Sequence, residues 1–286
     1  MTLEHLAPLL DHFKVRARLF HAGPLCGSTH YGAGAGVGFL HVLRAGALEI
    51  VHPAGSHALP ARLQLTEPTL LLYPRPVAHQ FVCSTAAPPD LVCASLAFEG
   101  GAQHPLVQGL PPLLCVPLQS FGNAHLSLQL LFDEADAVHA GQQLLADRLV
   151  EVVLVQVLRW LLHSGAALRP SHGMLAGLAH PGLARALTAM HQRPAQAWTI
   201  AALAREAAMS RSAFALAFKR TVGEPPAAYL SQWRLSIARQ RLTAGHPLKQ
   251  VAGDVGYQSA SALSRAFALH EGASPREWLR GQAGST

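Results

Sequence analysis

Over residues 14–100 the apolar positions come in short runs broken by Gly, Pro and Ser. VGFLHVLRAG, ALEIVHPAG, ARLQLTEPTLLLYPR, HQFVC and DLVCASLAFEG recur at about ten-residue spacing with no helical period between them. This pattern predicts the strands of an antiparallel β barrel or sandwich, a class whose interior suits a small molecule. Residues 101–122 are Pro-rich and read as an edge or a loop. From about Leu126 the period becomes helical. HLSLQLLFDEADA predicts one helix and QQLLADRLVEVVLVQVLRWLLHSG a long one. The long helix is apolar around much of its circumference from Leu149 to Leu162, so it needs a partner on more than one side, either the β domain or a second subunit. SGAALRPSHGM, residues 164–174, has the composition of a linker. The division expected is a β domain over 1–122, a helical dimerisation or transmission segment with its linker over 123–173, and an all-α domain over 174–286.

Beyond Leu183 nearly everything reads as helix with short turns. In TIAALAREAAMSRSAFALAFKR, Ile200, Leu203, Ala204 and Ala207 form one apolar face, and Phe214, Ala217 and Phe218 form the next. Met209 falls in the turn, and Thr199 and Ser210 stand where N-caps belong. Two short helices around one small core make a helix-turn-helix. The unit recurs in PLKQVAGDVGYQSASALSRAF, residues 247–267. There Val251, Ala252 and Val255 precede a Gly256-Tyr257 turn, Ser259 is the cap, and Leu263 and Phe267 are the buried stripe. PAAYLSQWRLSIARQRLTAG joins the two as a single helix, with Tyr229, Leu230, Trp233, Ile237 and Leu242 spaced for burial. About eighteen helical residues span roughly 27 Å, compatible with holding two helices in successive major grooves about 34 Å apart.

Charge sharpens the contrast between the two parts. Half of the 286 residues are apolar and only 13% are charged. Residues 1–180 hold 9 Lys and Arg against 11 Asp and Glu, whereas residues 181–286 hold 13 against 5. A tail of net charge +8 behind a front of −2 is expected where only the tail meets a polyanion. The start, MTLEHLAPLLDHFK, lacks the basic opening and apolar core of a signal peptide. The most apolar stretch, VVLVQVLRWLL, is too short to span a bilayer. A cytoplasmic protein without a membrane partner is therefore expected. Four cysteines without close pairs suggest neither a disulfide scaffold nor a zinc knuckle.

Residues 183–280 resemble the DNA-binding domain of the AraC/XylS family of bacterial transcription regulators. The resemblance rests on MSRSAFALAFKRTVGEPPAAYLSQWRLSIA and VAGDVGYQSASALSRAFALHEGASPREWLR. It implies double-stranded promoter DNA and RNA polymerase as partners, and two helices, opening at Arg211 and at Ser259, that enter the major groove. Ser212, Ala215 and Leu216 would face bases in the first. Ser261, Ser264 and Arg265 would do so in the second, with Arg265 the foremost base reader. Arg211, Lys219, Arg220 and Arg234 would meet phosphate, which supplies affinity without sequence preference, or stand as plain solvated charges. Leu216 cannot donate a hydrogen bond and would touch only a thymine methyl. After Phe267 the family runs basic and then Phe-Gly. Here Ala268, Leu269, His270, Glu271 and Gly272 follow, a departure that predicts a weaker second unit.

The front resembles the cupin-like sensor domain of one branch of the same family, through RLFHAGPLCGSTHY, FLHVLRAGALEIV, LLLYPRPVAHQF and LVCASLAFEG. Metal-binding cupins use two or three His and a carboxylate. Only His41 and His79 correspond, so they are metal candidates at most, and no cofactor is expected. The same branch includes regulators that respond to reactive chlorine through thiols, and the corresponding positions are Cys26 and Cys93. Against that stands the reading of all four cysteines as buried apolar residues. A sequence-specific regulator, not an enzyme, is the expectation, working as a homodimer on an oxidant or small-molecule signal. The alternatives are control by a small organic ligand in the barrel and a metal-dependent cupin enzyme. Whether such a regulator is an activator depends on where its site lies relative to polymerase.

Overall fold

The computed structural model describes residues 5–54, 58–84, 86–163 and 172–283. All but the last three positions of the expected linker, 164–174, lie outside them. The chain forms two compact units, one of Lys14–Arg169 and one of Met1–Phe13 with Pro170–Thr286. The first helix, α1 (Ala7–His12), thus belongs with the tail.

In the unit Lys14–Arg169 the strands are β1 (Val15–Pro24), β2 (Gly27–Tyr31), β3 (Gly38–Ala45), β4 (Leu48–Val51), β5 (Arg62–Leu65), β6 (Thr69–Tyr73), β7 (His79–Cys83) and β8 (Asp90–Phe98). A short helix α2 (Pro105–Gly109) and strand β9 (Leu114–Pro117) follow, so the Pro-rich stretch expected as edge or loop supplies an edge strand and a helical turn. The helix is capped by His104, whose Nδ1 accepts the Leu106 N–H at 3.1 Å. One sheet runs β1-β8-β3-β6-β9 and the other β2-β7-β4-β5, with every pairing antiparallel. Tyr31, Phe39, Leu43, Ile50, Leu71, Tyr73, Phe81, Leu91 and Cys93 fill the space between them. The barrel or sandwich expected from the alternating runs is therefore present, and its interior is packed with rings.

The helices α3 (His125–Asp136) and α4 (Gln142–His163) complete this unit. The outermost strand β1 would leave a row of unpaired backbone groups, a liability that proteins cover with a helix or loop. Here α4 covers it with one polar side chain per turn. Asp147 Oδ1 accepts the Leu19 N–H at 2.7 Å and Glu151 Oε1 accepts the Ala17 N–H at 3.3 Å. Gln143 Nε2 donates to the Leu19 carbonyl at 2.9 Å. Residues four apart lie on one helix face, which explains the spacing of Gln143, Asp147 and Glu151. Asp147→Ala is expected to cost about 1 to 2 kcal/mol by orphaning the Leu19 N–H, and Asp147→Asn, which keeps an acceptor, less. Urea unfolding of the two variants checks this, and equal costs would remove the edge-capping role.

The tail unit holds α1 together with α5 (Met174–Ala179), α6 (Pro181–Gln192), α7 (Ile200–Glu206), α8 (Arg211–Val222), α9 (Pro226–Thr243), α10 (Leu248–Asp254), α11 (Ala260–Glu271) and α12 (Pro275–Ala283). Residues 1–13 were expected with the β domain. They join the tail because α1 buries Leu9 and Phe13 there, with the Phe13 ring 5.2 Å from that of Trp233. His5 Nδ1 lies 2.9 Å from Thr188 Oγ1. The three expected caps are made: Thr199, Ser210 and Ser259 accept the N–H groups of Ala202, Ala213 and Ala262 at 3.1, 3.3 and 3.1 Å. Phe214, Phe218, Leu263 and Phe267 are fully buried, while Ile200, expected on the buried face, is exposed.

After Phe267 the second unit makes contacts of its own. Phe267 packs edge-on against Trp278 at 5.5 Å, and Glu271 forms a largely buried ion pair with Arg239 at 2.5 Å. The acidic residue that breaks the family pattern is the one that fastens α11 to α9.

Candidate nucleic-acid interface

Burial of Phe214 and Phe218 turns the opposite side of α8 outward. Ser212, Leu216 and Arg220 form an exposed stripe at four-residue spacing, flanked by Arg211 and Lys219, with Ala215 half-buried. On α11 the same logic exposes Ser261, Arg265 and Leu269, with Ser264 half-buried. Ser259 is exposed, but its hydroxyl is engaged as the cap. Leu216 is 61% and Leu269 91% exposed. Leu269 was not singled out as an interface residue, although its four-residue spacing from Ser261 and Arg265 was visible in the chain.

Three arginines of the unit are held in ion pairs. Arg193, Arg239 and Arg241 are each paired, with Glu206, Glu271 and Asp254. Arg211, Lys219, Arg220 and Arg265 form no ion pair among the described residues. Arg211 is the first residue of α8, the end of a helix where the dipole disfavours a cation, so its placement does not serve the helix. Arg234, also expected at phosphate, is engaged within the protein. Its Nε donates to the Pro194 carbonyl at 2.7 Å and its Nη2 to the Gln196 carbonyl at 2.9 Å. Its guanidinium lies 5.9 Å from the centre of the Tyr257 ring.

Inside the β unit, His41 and His79 meet, with their Nε2 atoms 3.0 Å apart. His79 Nδ1–H donates to the Val77 carbonyl at 2.8 Å, which leaves its Nε2 as the acceptor of the His41 Nε2–H. Burial holds the His79 imidazole down to about 4 and, with the neighbouring His79 and His21, holds that of His41 well below its ordinary range. Both are therefore neutral. The two nitrogens a metal would use already share a hydrogen bond, and no third His, Cys, Asp or Glu joins them among the described residues. These residues do not fit a metal centre.

The thiols are also arranged differently from the expected pair. Cys26 is exposed and precedes Gly27, the strand partner of Cys83. Cys93 is fully buried, between His21 of β1 and His41 of β3 in the sheet register, with its Sγ 3.8 Å from the Tyr31 hydroxyl. Burial pushes the Cys93 thiol up to about 12, the reverse of what a reactive thiol needs. Cys83, which no sequence signal marked, is thus the strand neighbour of Cys26. A cavity of about 260 Å³ lies beside this core, lined by residues including His30, Tyr31, Val51, His52, His79 and Gln80.

Residues 4–163 match the model of the cupin family, and residues 203–281 match that of a helix-turn-helix domain. A putative AraC-like transcription regulator of Streptomyces lividans is 39% identical over 193 residues, covering 66% of this chain and 63% of that protein. The chain thus spans less than two thirds of that relative's length. The RCS-specific HTH-type transcriptional activator RclR of Escherichia coli (strain K12) is 27% identical over 243 residues, 83% of this chain and 82% of that one. The DNA-binding domain of AdpA, a global transcriptional factor solved in complex with a target DNA, is 26% identical, covers 37% of this chain and 95% of that chain, and superposes with a TM-score of 0.34. Among the described residues no helix is long and apolar enough to cross a membrane. With residues 4–163, more than half of its length, matching the cupin model, the chain belongs to the cupin family, and its tail carries a helix-turn-helix domain.

Proposed function

We propose that this protein is a one-component transcription regulator whose tail binds double-stranded promoter DNA sequence-specifically. The barrel receives the signal that alters this binding or the recruitment of RNA polymerase. The observation that carries the reading is the pair of capped helix-turn-helix units in one unit, each turning an exposed stripe outward, with Arg211, Lys219, Arg220 and Arg265 on or beside those stripes free of ion pairs among the described residues. Arg265 reads a base edge and Leu216 a thymine methyl. Ser212, Ala215, Ser261 and Ser264 complete the base-facing stripes, and Arg211, Lys219 and Arg220 hold phosphate. The exposed Leu126, Leu130, Leu145 and Val152 of α3 and α4 supply the apolar face of a homodimer.

For an oxidant signal, Cys26 is the accessible thiol, and Cys93 answers only after it. A small organic ligand would instead use the cavity beside His52 and His79. The test is selection of duplex DNA from a random library by the purified full chain at fixed salt, with and without hypochlorite. An enriched sequence is expected, and Arg265→Ala should lose about 1 to 3 kcal/mol of discrimination at one base position. A pool without any consensus sinks the regulator, and a uniform loss over all sequences moves Arg265 to phosphate. Hypochlorite should shift wild-type binding and leave Cys26→Ser unmoved. A response lost only in Cys93→Ser would place the sensor at the buried thiol, and no response at all would leave the signal to a ligand.

A further inference from the structure

Beside α9, the turn of the second helix-turn-helix unit touches the loop that leads into the first. The loop between α6 and α7, which leads into the first unit, is stiffened by its own contacts. Arg193 pairs with Glu206 at 3.0 Å and lies 4.8 Å over the Trp198 ring, whose Nε1–H donates to the Arg193 carbonyl at 3.1 Å. The turn of the second unit lies against this loop at Gly256. Its φ is +83°, and a Cβ there would come within 2.7 Å of the Ala195 Cα and carbonyl oxygen. Only glycine allows both that backbone and that approach.

Arg234 stands at this junction. From α9 it donates to the carbonyls of Pro194 and Gln196 on the loop leading into the first unit, and its guanidinium carbon lies over the Tyr257 ring, 5.9 Å from its centre, in the second unit's turn. Tyr257 is held in turn by its hydroxyl, 3.5 Å from Ser231 Oγ of α9. The far ends of the second unit are fastened to the same helix. Arg239 pairs with Glu271, the last residue of α11, and Arg241 with Asp254, the last residue of α10.

We propose that Arg234 is a positioning residue that locks the two helix-turn-helix units at one separation, and so sets the spacing between the two half-sites the protein accepts. The inference rests on the DNA-binding reading above. One base pair of spacing moves a half-site by about 3.4 Å along the axis and roughly a tenth of a turn around it. A locked pair of units cannot follow that displacement, and an unlocked pair can. Arginine is required because one planar fork serves two carbonyls and a ring, which a lysine ammonium cannot.

The experiment measures binding of the full chain to its selected site and to versions with one base pair inserted or removed between the half-sites, across a salt series. Wild type should prefer one spacing by about tenfold or more, the size of a mismatch penalty. R234K should bring the neighbouring spacings within about threefold of the best while leaving the salt dependence unchanged. Y257L, which removes the ring and leaves the carbonyl contacts, should relax the preference in the same direction and serves if R234K does not fold. The proposal is overturned if these variants keep the wild-type preference, or if R234K lowers the slope of log K against log salt by about one contact, the mark of a phosphate ligand. A wild type that selects a single half-site also overturns it. A wild type that selects no sequence overturns the DNA-binding reading instead.

Discussion

Phe218→Ala is expected to destabilise the tail unit by about 3 to 5 kcal/mol, the usual cost of removing a large buried ring. Phe218 is fully buried, 5.6 Å from the ring of Phe214 and 5.6 Å from that of Tyr229. It therefore joins the second helix of the first unit to α9. The loss should appear as a lower urea midpoint followed by tryptophan fluorescence, since Trp198, Trp233 and Trp278 all lie in the tail. DNA binding should fall for every sequence alike, because the variant lacks a folded first unit and not a base contact. Native-like stability would show that the α8 face assigned to the core is not the one that packs.

Acid should act on the same unit. His191 is fully buried, stacked on Trp233 at 3.9 Å, with its Nε2 2.6 Å from the Tyr229 hydroxyl. Burial, with a smaller contribution from His12, holds its imidazole down to about 3. The unfolded chain binds a proton near the ordinary value of about 6.5, so between those two values the unfolded state carries more protons than the folded one. The stability from keeping His191 neutral is therefore complete above about 6.5 and drains away as the pH falls toward 3, at up to about 1.4 kcal/mol per pH unit. By pH 4.5 about 3 kcal/mol should be gone from this group alone. Urea midpoints at pH 7.5 and 4.5 test it, and a tail unit equally stable at both would mean that His191 titrates normally.

The strands, the two helix-turn-helix units and the caps were legible in the chain because each is written locally. An alternating run places its own faces, and a Ser or Thr one residue before an apolar period caps the helix that follows. Residues whose partners are remote could not be read this way. Arg234, on an amphipathic helix in a basic segment, looks like one more cation for DNA, and only the positions of two carbonyls forty residues away give it another task. Cys93 and Cys26 look alike in the sequence, but the first lies inside β8, where its sheet neighbours bury it, and the second lies between β1 and β2 and is exposed. His41 and His79 were visible as inward-facing imidazoles. Their mutual hydrogen bond, which displaces a metal, follows only from the closure of the two sheets.

The docking of α1 in the tail unit bears on how the chain is made. The segment His5–Phe13 is translated before the β unit, yet Thr188 and Trp233, which it meets, come some two hundred positions later. At about 5–20 residues per second of synthesis, the N-terminal segment waits roughly ten to forty seconds for its partners. Over that interval Leu9 and Phe13 stay uncovered while the strands that follow them assemble. The tail unit therefore cannot close around α1 until α6 and α9 have been translated, after the whole β unit.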